Sequence, residues 1–413
     1  MCSYVSDVER AMDQNAIMTS TAQDAVHFPI WATGAMVLGV FAIGSEALVV
    51  SPLLKDLSTT FGIGDDRSGL AIAAYGLALG ISTPLLGPIS DLVSRKLVMV
   101  ASLLMFAAST AVCAGATSFP MLLIARGICG VAAGLFLPAT YAYVGDYVPY
   151  AARAKVMGRV MSGWAASLVL GVPLGAVVGQ FIGWRGALAV VAGMGLVSAL
   201  VLRQLLEGGR APRDQSDDSL LALLTRALRV EGVLPLMLVH FAAMTGFYGM
   251  YTYLGSFLRT GLAMGSAGAG GFVLVYGLGF TLATLNAHLV DRIGKPKALL
   301  VALTGPAVVM LLLPRVGLHV PAIVSLLLIW GILQGIGLTT TLTIAGGLST
   351  PLRGRISALA TCAGYLGMTF GSAFMGALFE RDGYAAVGTA CATAAATAAL
   401  VFGWRFLLRR PMP

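Results

Sequence analysis

The sequence contains very little charge. Only 11% of its 413 residues are Asp, Glu, Lys or Arg, whereas 58% are apolar. A soluble fold of this length needs many more polar residues to cover its surface. The mean hydropathy of +0.88 also excludes a disordered chain or a coiled coil. These figures predict a polytopic membrane protein embedded in a lipid bilayer.

Several chemical motifs are also missing. There is no Gly-x-x-x-x-Gly-Lys-Ser/Thr phosphate loop, no cluster of metal ligands and no nucleophile with a neighbouring base. We therefore expect neither an enzyme nor a bound metal or cofactor. The five cysteines are scattered without a Cys-x-x-Cys pair, which argues against a disulfide framework. They are Cys2, Cys113, Cys129, Cys362 and Cys391.

Twelve apolar runs divide the chain, and each is long enough to cross a bilayer as a helix. We predict an all-α membrane protein with two pseudo-symmetric halves of six transmembrane helices. Residues 1–29 lack the apolar core of a signal peptide and predict a cytoplasmic tail. The predicted boundaries are a tail at 1–29, a first half at 30–204, a linker at 205–231, a second half at 232–407 and a tail at 408–413.

The distribution of Lys and Arg predicts the topology. If the N-terminus is cytoplasmic, nineteen basic residues lie on the inner side and six on the outer side. This bias indicates that both termini are cytoplasmic and that the protein is integral to the plasma (inner) membrane. The net charge of +8 is therefore attributed to cytoplasmic loops rather than to binding of nucleic acid. The end of the linker, Leu220–Val230, is a candidate interfacial amphipathic helix.

The two halves match when one is laid on the other with a shift of about 200 residues. Tyr75 meets Tyr276 at a shift of 201, and glycine matches carry less weight because the chain has 52 glycines. This pattern predicts a duplicated transporter plan with a central site between the halves. The matches at a shift of 200 are Asp91–Lys96 with Asp291–Pro296, Arg153 with Arg353, Gly171 with Gly371 and Gly183 with Gly383.

Residues 87–96, between spans 2 and 3, read GPISDLVSRK. They resemble the G-x-L-a-D-R-x-G-R-K loop of the major facilitator superfamily, and within it the twelve-span drug:proton antiporters. Positions 92 and 94 depart from that pattern. The resemblance covers about residues 30–407 and implies the major facilitator fold with alternating access. It also implies a cytoplasmic gate, although ordinary solvated loop charges are the alternative. The candidate gate residues are Gly87, Asp91, Arg95, Asp146, Asp291 and Arg292.

Two charged residues lie inside spans. Arg126 begins a sequence in span 4 similar to the family's R-x-x-q-G motif, with Cys129 where Gln is common. A charge at this depth normally faces a partner or a polar cavity. Glu46 lies at a matching depth in span 1, so the two residues can pair. We predict that this pair couples transport to protons, and a permanently structural pair is the alternative.

Span 5 carries Gly171, Pro173 and Gly175, which resemble the glycine-proline motif of the antiporters. Small residues at this spacing allow close helix packing, which is also the alternative explanation. Aromatic and polar residues in other spans are candidates for the substrate cavity, with packing or a lipid-facing belt as alternatives. The candidates are Tyr75, His240, Phe247, Tyr251, Tyr276, Trp330 and Gln334.

These observations predict a monomeric secondary transporter whose partners are a small-molecule substrate and protons. The favoured function is multidrug efflux, meaning proton-coupled antiport of a small amphipathic compound. A symporter or facilitator that imports a metabolite or sugar is the alternative, but the spans contain few polar side chains to bind a sugar. A membrane sensor that transports nothing is the remaining hypothesis.

Overall fold

The computed structural model describes residues 28–87, 89, 93–208, 220–286 and 288–408. Within this part of the chain, ten helices are long and apolar enough to cross a membrane. Two of them contain 54 and 53 residues, whereas about 20 residues make one crossing. Each of these two therefore supplies two spans, which confirms the predicted all-α fold with twelve spans. Asp91 and parts of the predicted tails and linker lie outside the described residues.

The first half contains spans 1 to 6. Spans 1 to 4 are Ile30–Phe61, Leu70–Leu86, Arg95–Ala114 and Phe119–Tyr147, with a short helix Asp65–Ser68 between the first two. Spans 5 and 6 are formed by Tyr150–Ala166, a π-helical segment Ser167–Gly171, and Val172–Leu205.

The second half repeats this order. A short helix, Leu220–Arg229, precedes it, and a second one, His288–Ile293, lies between spans 8 and 9. Spans 7 to 10 are Val233–Gly261, Ser266–Leu285, Lys295–Leu312 and Val320–Gly347. Spans 11 and 12 form Arg353–Phe402, followed by a π-helical turn Gly403–Leu408.

Both double-length helices turn at a glycine. Gly183 has φ 85° and Gly383 has φ 79°, a backbone conformation that side chains with a Cβ rarely adopt. The two glycines are 200 residues apart, at the offset seen in the sequence repeat. The match between them, which carried little weight in the sequence, therefore marks the same hairpin between spans in each half.

Helix packing within the halves follows the same repeat. Span 2 packs on span 4, and span 8 packs on span 10. A Cβ at Gly130 would overlap the carbonyl oxygen of Tyr75, and a Cβ at Gly331 would overlap that of Tyr276. Both glycines thus permit the same backbone contact, at an offset of 201 residues. The duplication predicted from sequence is present in the packing.

The two halves meet through spans 1, 2 and 5 on one side and spans 7, 8 and 11 on the other. Ser51 Oγ donates to the Tyr251 carbonyl at 2.6 Å, and Ser266 Oγ donates to the Ala176 carbonyl at 2.9 Å. These contacts lie toward the end of the bundle that carries the short helix Asp65–Ser68. We call this the closed end. The opposite end, where Arg95 lies, is the basic end.

An ion pair between the halves reinforces the closed end. Arg259, at the end of span 7, donates from Nη1 to Asp56 Oδ2 at 2.7 Å and from Nη2 to Asp56 Oδ1 at 2.9 Å. Its Nη1 also donates to the Pro52 carbonyl at 3.1 Å. A bidentate pair of this kind has a well-defined geometry as well as charge attraction. It therefore restrains span 1 against span 7.

We predict that Arg259→Gln increases the population open at the closed end. Loss of a partly exposed ion pair costs about 1 kcal/mol, which is roughly a fivefold change in population. Spin labels at Thr117→Cys and Leu318→Cys, exposed sites in the two halves, report the opening as a longer interspin distance. The native cysteines are replaced in this background.

The control for this measurement is Arg381→Gln. It breaks the exposed Arg381–Asp382 pair, which lies within one half, and the distance distribution should not change. Identical distributions for Arg259→Gln and the unsubstituted chain would show that the Asp56–Arg259 pair does not hold the closed end.

Candidate functional site

Glu46 and Arg126 form an ion pair in the first half. The Arg126 Nη1 group donates to Glu46 Oε1 and also to the Glu46 carbonyl at 3.1 Å. Its Nε group donates to the Ala71 carbonyl at 2.8 Å. The guanidinium carbon lies 4.9 Å from the centre of the Tyr75 ring. Arg126 thus ties span 4 to spans 1 and 2.

Both charges are completely buried, with no exposed side-chain surface. Taking two charges out of water is costly, and their attraction offsets this cost only when the geometry is good. Glu46 Oε2 and Arg126 Nη2 have no hydrogen-bond partner among the described residues. The pair therefore keeps one free acceptor and one free donor inside the bundle.

Cys129 lies one turn after Arg126 and contacts span 3. Its Sγ is 3.1 Å from Ser109 Oγ, 3.4 Å from Thr110 Oγ1 and 4.0 Å from Cys113 Sγ. Both cysteines are buried free thiols. The residue that replaces the family's common Gln thus packs span 4 against span 3 and does not extend the charged site.

The glycines predicted on span 5 pack against span 1. A Cβ at Gly171 would overlap Ser45, the residue before Glu46, and a Cβ at Gly175 would overlap Val49. Gly171 also ends the π-helical segment Ser167–Gly171, two residues before Pro173. A π-helical segment locally interrupts the regular hydrogen-bond ladder. The motif therefore holds span 5 close to the part of span 1 that carries Glu46.

Four of the predicted cavity residues form one aromatic cluster in the second half. The ring centroid of Phe247 is 5.5 Å from those of Tyr251 and Trp330 and 5.8 Å from that of Tyr276. The Tyr276 and Trp330 centroids are 5.5 Å apart. The Tyr251 hydroxyl donates to the Leu48 carbonyl at 3.4 Å. The cluster therefore contacts span 1 close to Glu46.

The other cavity candidates lie in different surroundings. Tyr75 belongs to the Glu46–Arg126 site. Gln334 is buried one turn from Trp330, and its Nε2 lies 3.7 Å from Met244 Sδ. His240 is buried, and its ring would contact a Cβ at Gly364. His240 is not part of the aromatic cluster.

Two half-buried tyrosines near the site were missed in the sequence. Tyr365 of span 11 lies against span 2, where its Cβ would contact a Cβ at Gly80, and Tyr141 lies on span 4. Tyr141 is half-buried as well. A lone tyrosine in an apolar run carries no distinguishing pattern. Only its packing against other helices identifies it.

The charges predicted as a gate differ between the halves. Arg95 Nε donates to Asp146 Oδ2 at 2.7 Å, and Arg95 is mostly buried. Asp291, in the short helix His288–Ile293, lies 3.8 Å from Lys295 at the start of span 9 in an exposed pair, and Arg292 is exposed. The first half therefore has a packed link between spans 3 and 4 at the basic end, whereas the Asp291–Lys295 pair in the second half is solvated.

We predict that Glu46→Gln destabilises the protein by about 3–5 kcal/mol, because it leaves a buried charge without its partner. Arg126 cannot escape this cost by losing its proton. The double variant Glu46→Gln with Arg126→Gln removes both charges and should recover most of the loss. The midpoints of thermal unfolding, measured on the purified proteins in detergent, rank the stabilities of these variants.

Arg126→Gln alone should fall between these variants, since a buried Glu46 can take up a proton and become neutral. Equal midpoints for Glu46→Gln and the double variant would contradict a stabilising pair. That result would mean that water already solvates both groups.

Comparison with known proteins agrees with this architecture. A family model described as Major Facilitator Superfamily matches residues 36–349. An uncharacterized MFS-type transporter of Bacillus subtilis (strain 168), YwfA, is 38% identical over 370 residues, which cover 89% of this chain and 90% of that protein. A chloramphenicol resistance protein of Streptomyces lividans is 25% identical over 272 residues, or 66% of this chain and 69% of that protein.

A solved structure shares the fold. It is the crystal structure of a bacterial homolog to the human lysosomal transporter Spinster, in an inward-facing and unoccupied conformation. The TM-score is 0.73 at 17% sequence identity, and the match covers 94% of this chain and 99% of that one. Together with the match over residues 36–349, this likeness establishes that the chain belongs to the Major Facilitator Superfamily of membrane transporters.

Proposed function

We propose that this transporter exports a small amphipathic organic compound in exchange for protons. Glu46 carries the proton, Arg126 responds to its charge, and the two six-helix halves rock around a site between them. The observation that carries the proposal is the buried Glu46–Arg126 pair with one carboxylate oxygen left unpaired. A carboxylate held by a single contact can release its partner when it accepts a proton.

The two ends of the bundle support an orientation of the protein in the membrane. The excess of Lys and Arg at the basic end supports a cytoplasmic position for that end in the inner membrane. The closed end then faces outward, and the molecule is in a state sealed from the outside. Arg95 and Asp146 become part of a cytoplasmic gate in this arrangement.

Span 1 links the proton site to the contacts between the halves. It carries Glu46 near its middle, and it binds the second half through Ser51 and Asp56. When Glu46 accepts a proton, its hold on Arg126 weakens and span 1 can shift relative to span 4. The same shift changes the packing between span 1 and span 7, which allows the proton-loaded molecule to close its outer end and release the proton inside.

Two observations support export. The Gly171 and Pro173 motif on span 5 resembles that of the antiporter branch and packs beside Glu46. A relative from Streptomyces lividans is named a chloramphenicol resistance protein, and resistance is a consequence expected of an exporter. The mainly apolar and aromatic lining of the spans favours an amphipathic compound over a sugar.

The test uses purified protein in lipid vesicles with an imposed pH gradient and a panel of uncharged and cationic aromatic compounds. The unsubstituted chain should concentrate at least one compound when the gradient is present. Glu46→Gln should lose this accumulation but keep gradient-free exchange of labelled for unlabelled compound, because the alternating movement remains while its link to protons is lost.

Two further variants make the result specific. The double variant Glu46→Gln with Arg126→Gln is expected to be well folded and equally uncoupled. Glu231→Gln alters an exposed carboxylate that pairs with Arg405, and it should accumulate compound normally. Normal accumulation by Glu46→Gln would refute the proton assignment, and uptake driven in the same direction as proton flow would indicate a symporter.

A further inference from the structure

The aromatic cluster of Phe247, Tyr251, Tyr276 and Trp330 forms one wall close to the proton site. Its rings are buried, and Tyr251 joins it to span 1 through the Leu48 carbonyl. Aromatic faces at these separations accept another flat ring in an offset or edge-on arrangement. Their shape alone does not distinguish a neutral ring from an organic cation, because both are attracted to aromatic faces.

Buried polar atoms without a hydrogen-bond partner distinguish a neutral ligand from an organic cation. Trp330 Nε1 and the Tyr75 hydroxyl have no hydrogen-bond partner among the described residues, although both side chains are completely buried. Arg126 Nη2 also lacks a hydrogen-bond partner among the described residues, and so does Glu46 Oε2, the acceptor that takes up the proton in the proposed cycle. The indole and guanidinium groups can only donate, and the tyrosine hydroxyl can donate as well. Buried donors without a partner are costly, so a ligand that supplies acceptor atoms is favoured over one that supplies donors.

The charges near the site also favour an uncharged ligand over an organic cation. Glu46 and Arg126 are the two charged side chains well inside the spans, and they neutralise each other in direct contact. The Arg126 guanidinium also lies over the Tyr75 ring. An organic cation beside this tyrosine would meet a positive charge that already occupies the aromatic face. The cost of desolvating that cation would therefore be offset only by the other aromatic faces, because the Glu46 charge is already paired with Arg126.

Gln334 adds a further polar group next to the wall. It lies one turn after Trp330 on span 10 and is buried, and its amide Nε2 lies 3.7 Å from the Met244 sulfur. A thioether is a weak acceptor. The amide is therefore available to a polar substituent on a ligand that is bound at the wall.

We propose that the site binds an uncharged planar aromatic compound carrying hydrogen-bond acceptors, such as nitro or carbonyl oxygens. The ring packs on the wall of Phe247 and Tyr276, and an acceptor receives the Trp330 Nε1 hydrogen. Tyr75 donates from the opposite half. This assignment rests on the proposed function, since it names the class of compound that the transporter moves.

The experiment compares three matched probes that share one carboxamide and differ only in the para substituent, which is the group expected to reach Trp330 Nε1. They are 4-nitrobenzamide, 4-methylbenzamide and 4-(trimethylammonio)benzamide. Equilibrium dialysis of the full-length chain in detergent gives their affinities. The nitro compound should bind about tenfold more tightly than the methyl compound, the gain expected of a well-made buried hydrogen bond. The cationic compound should bind most weakly of the three.

Variants then identify the donors. Trp330→Phe keeps a large ring but removes the N–H, and Tyr75→Phe removes only a hydroxyl. Each should weaken binding of the nitro compound by about fivefold to tenfold and leave binding of the methyl compound unchanged. The control is Trp184→Phe, because Trp184 Nε1 donates to Thr60 Oγ1 at 3.0 Å near the closed end. It should alter neither affinity.

Every other outcome would contradict either the proposed substrate class or the proposed proton-driven export. Tightest binding of the cation, or equal losses for the nitro and methyl compounds in Trp330→Phe, would overturn the assignment, the second by showing that the ring only packs. If no probe binds while vesicles still accumulate other compounds with the pH gradient, the substrate class is wrong and the proposed function stands. If the nitro compound binds as expected but no compound accumulates, the substrate class stands and proton-driven export is wrong.

Discussion

The contact between Glu46 and Arg126 determines how the first half is arranged. Arg126 would be costly in an apolar helix without a partner. Its guanidinium satisfies this requirement by bridging the Glu46 carboxylate and the Ala71 carbonyl. Spans 1, 2 and 4 must therefore remain in register around one side chain. The glycines of span 5 then allow that helix to approach span 1 at the same level.

The second half repeats the backbone of the first but contains different chemistry. At the offset of 201 residues, Tyr75 corresponds to Tyr276, whereas Glu46 corresponds to Phe247 and Cys129 to Trp330. The close helix contact beneath each tyrosine is thus the same in both halves. The buried charged pair, however, lies in the first half, and the aromatic cluster lies in the second. In our proposals, Glu46 of the first half binds the proton, and the aromatic cluster of the second half binds the ring of the substrate.

Much of this arrangement could be predicted from sequence because charge is scarce. A single carboxylate and a single guanidinium at matching depths have few possible partners, so Glu46 and Arg126 could be paired without a structure. The ion pair of Asp56 with Arg259 could not, because both lie among other loop charges and they are 203 residues apart. Tyr365 was missed for a related reason, since its value as a site residue depends on neighbours from other helices.

Span 1 takes part in both kinds of contact, and this explains how the proton site that we propose in the first half can influence the interface with the second half. Glu46 binds span 4 within its own half, while Ser51 and Asp56 bind span 7 across the interface. These contacts lie within three turns of one helix. A change in charge at Glu46 therefore alters the position of span 1, and the interface must respond. Coupling across the halves follows from sharing this one helix, without a separate chain of polar residues between the sites.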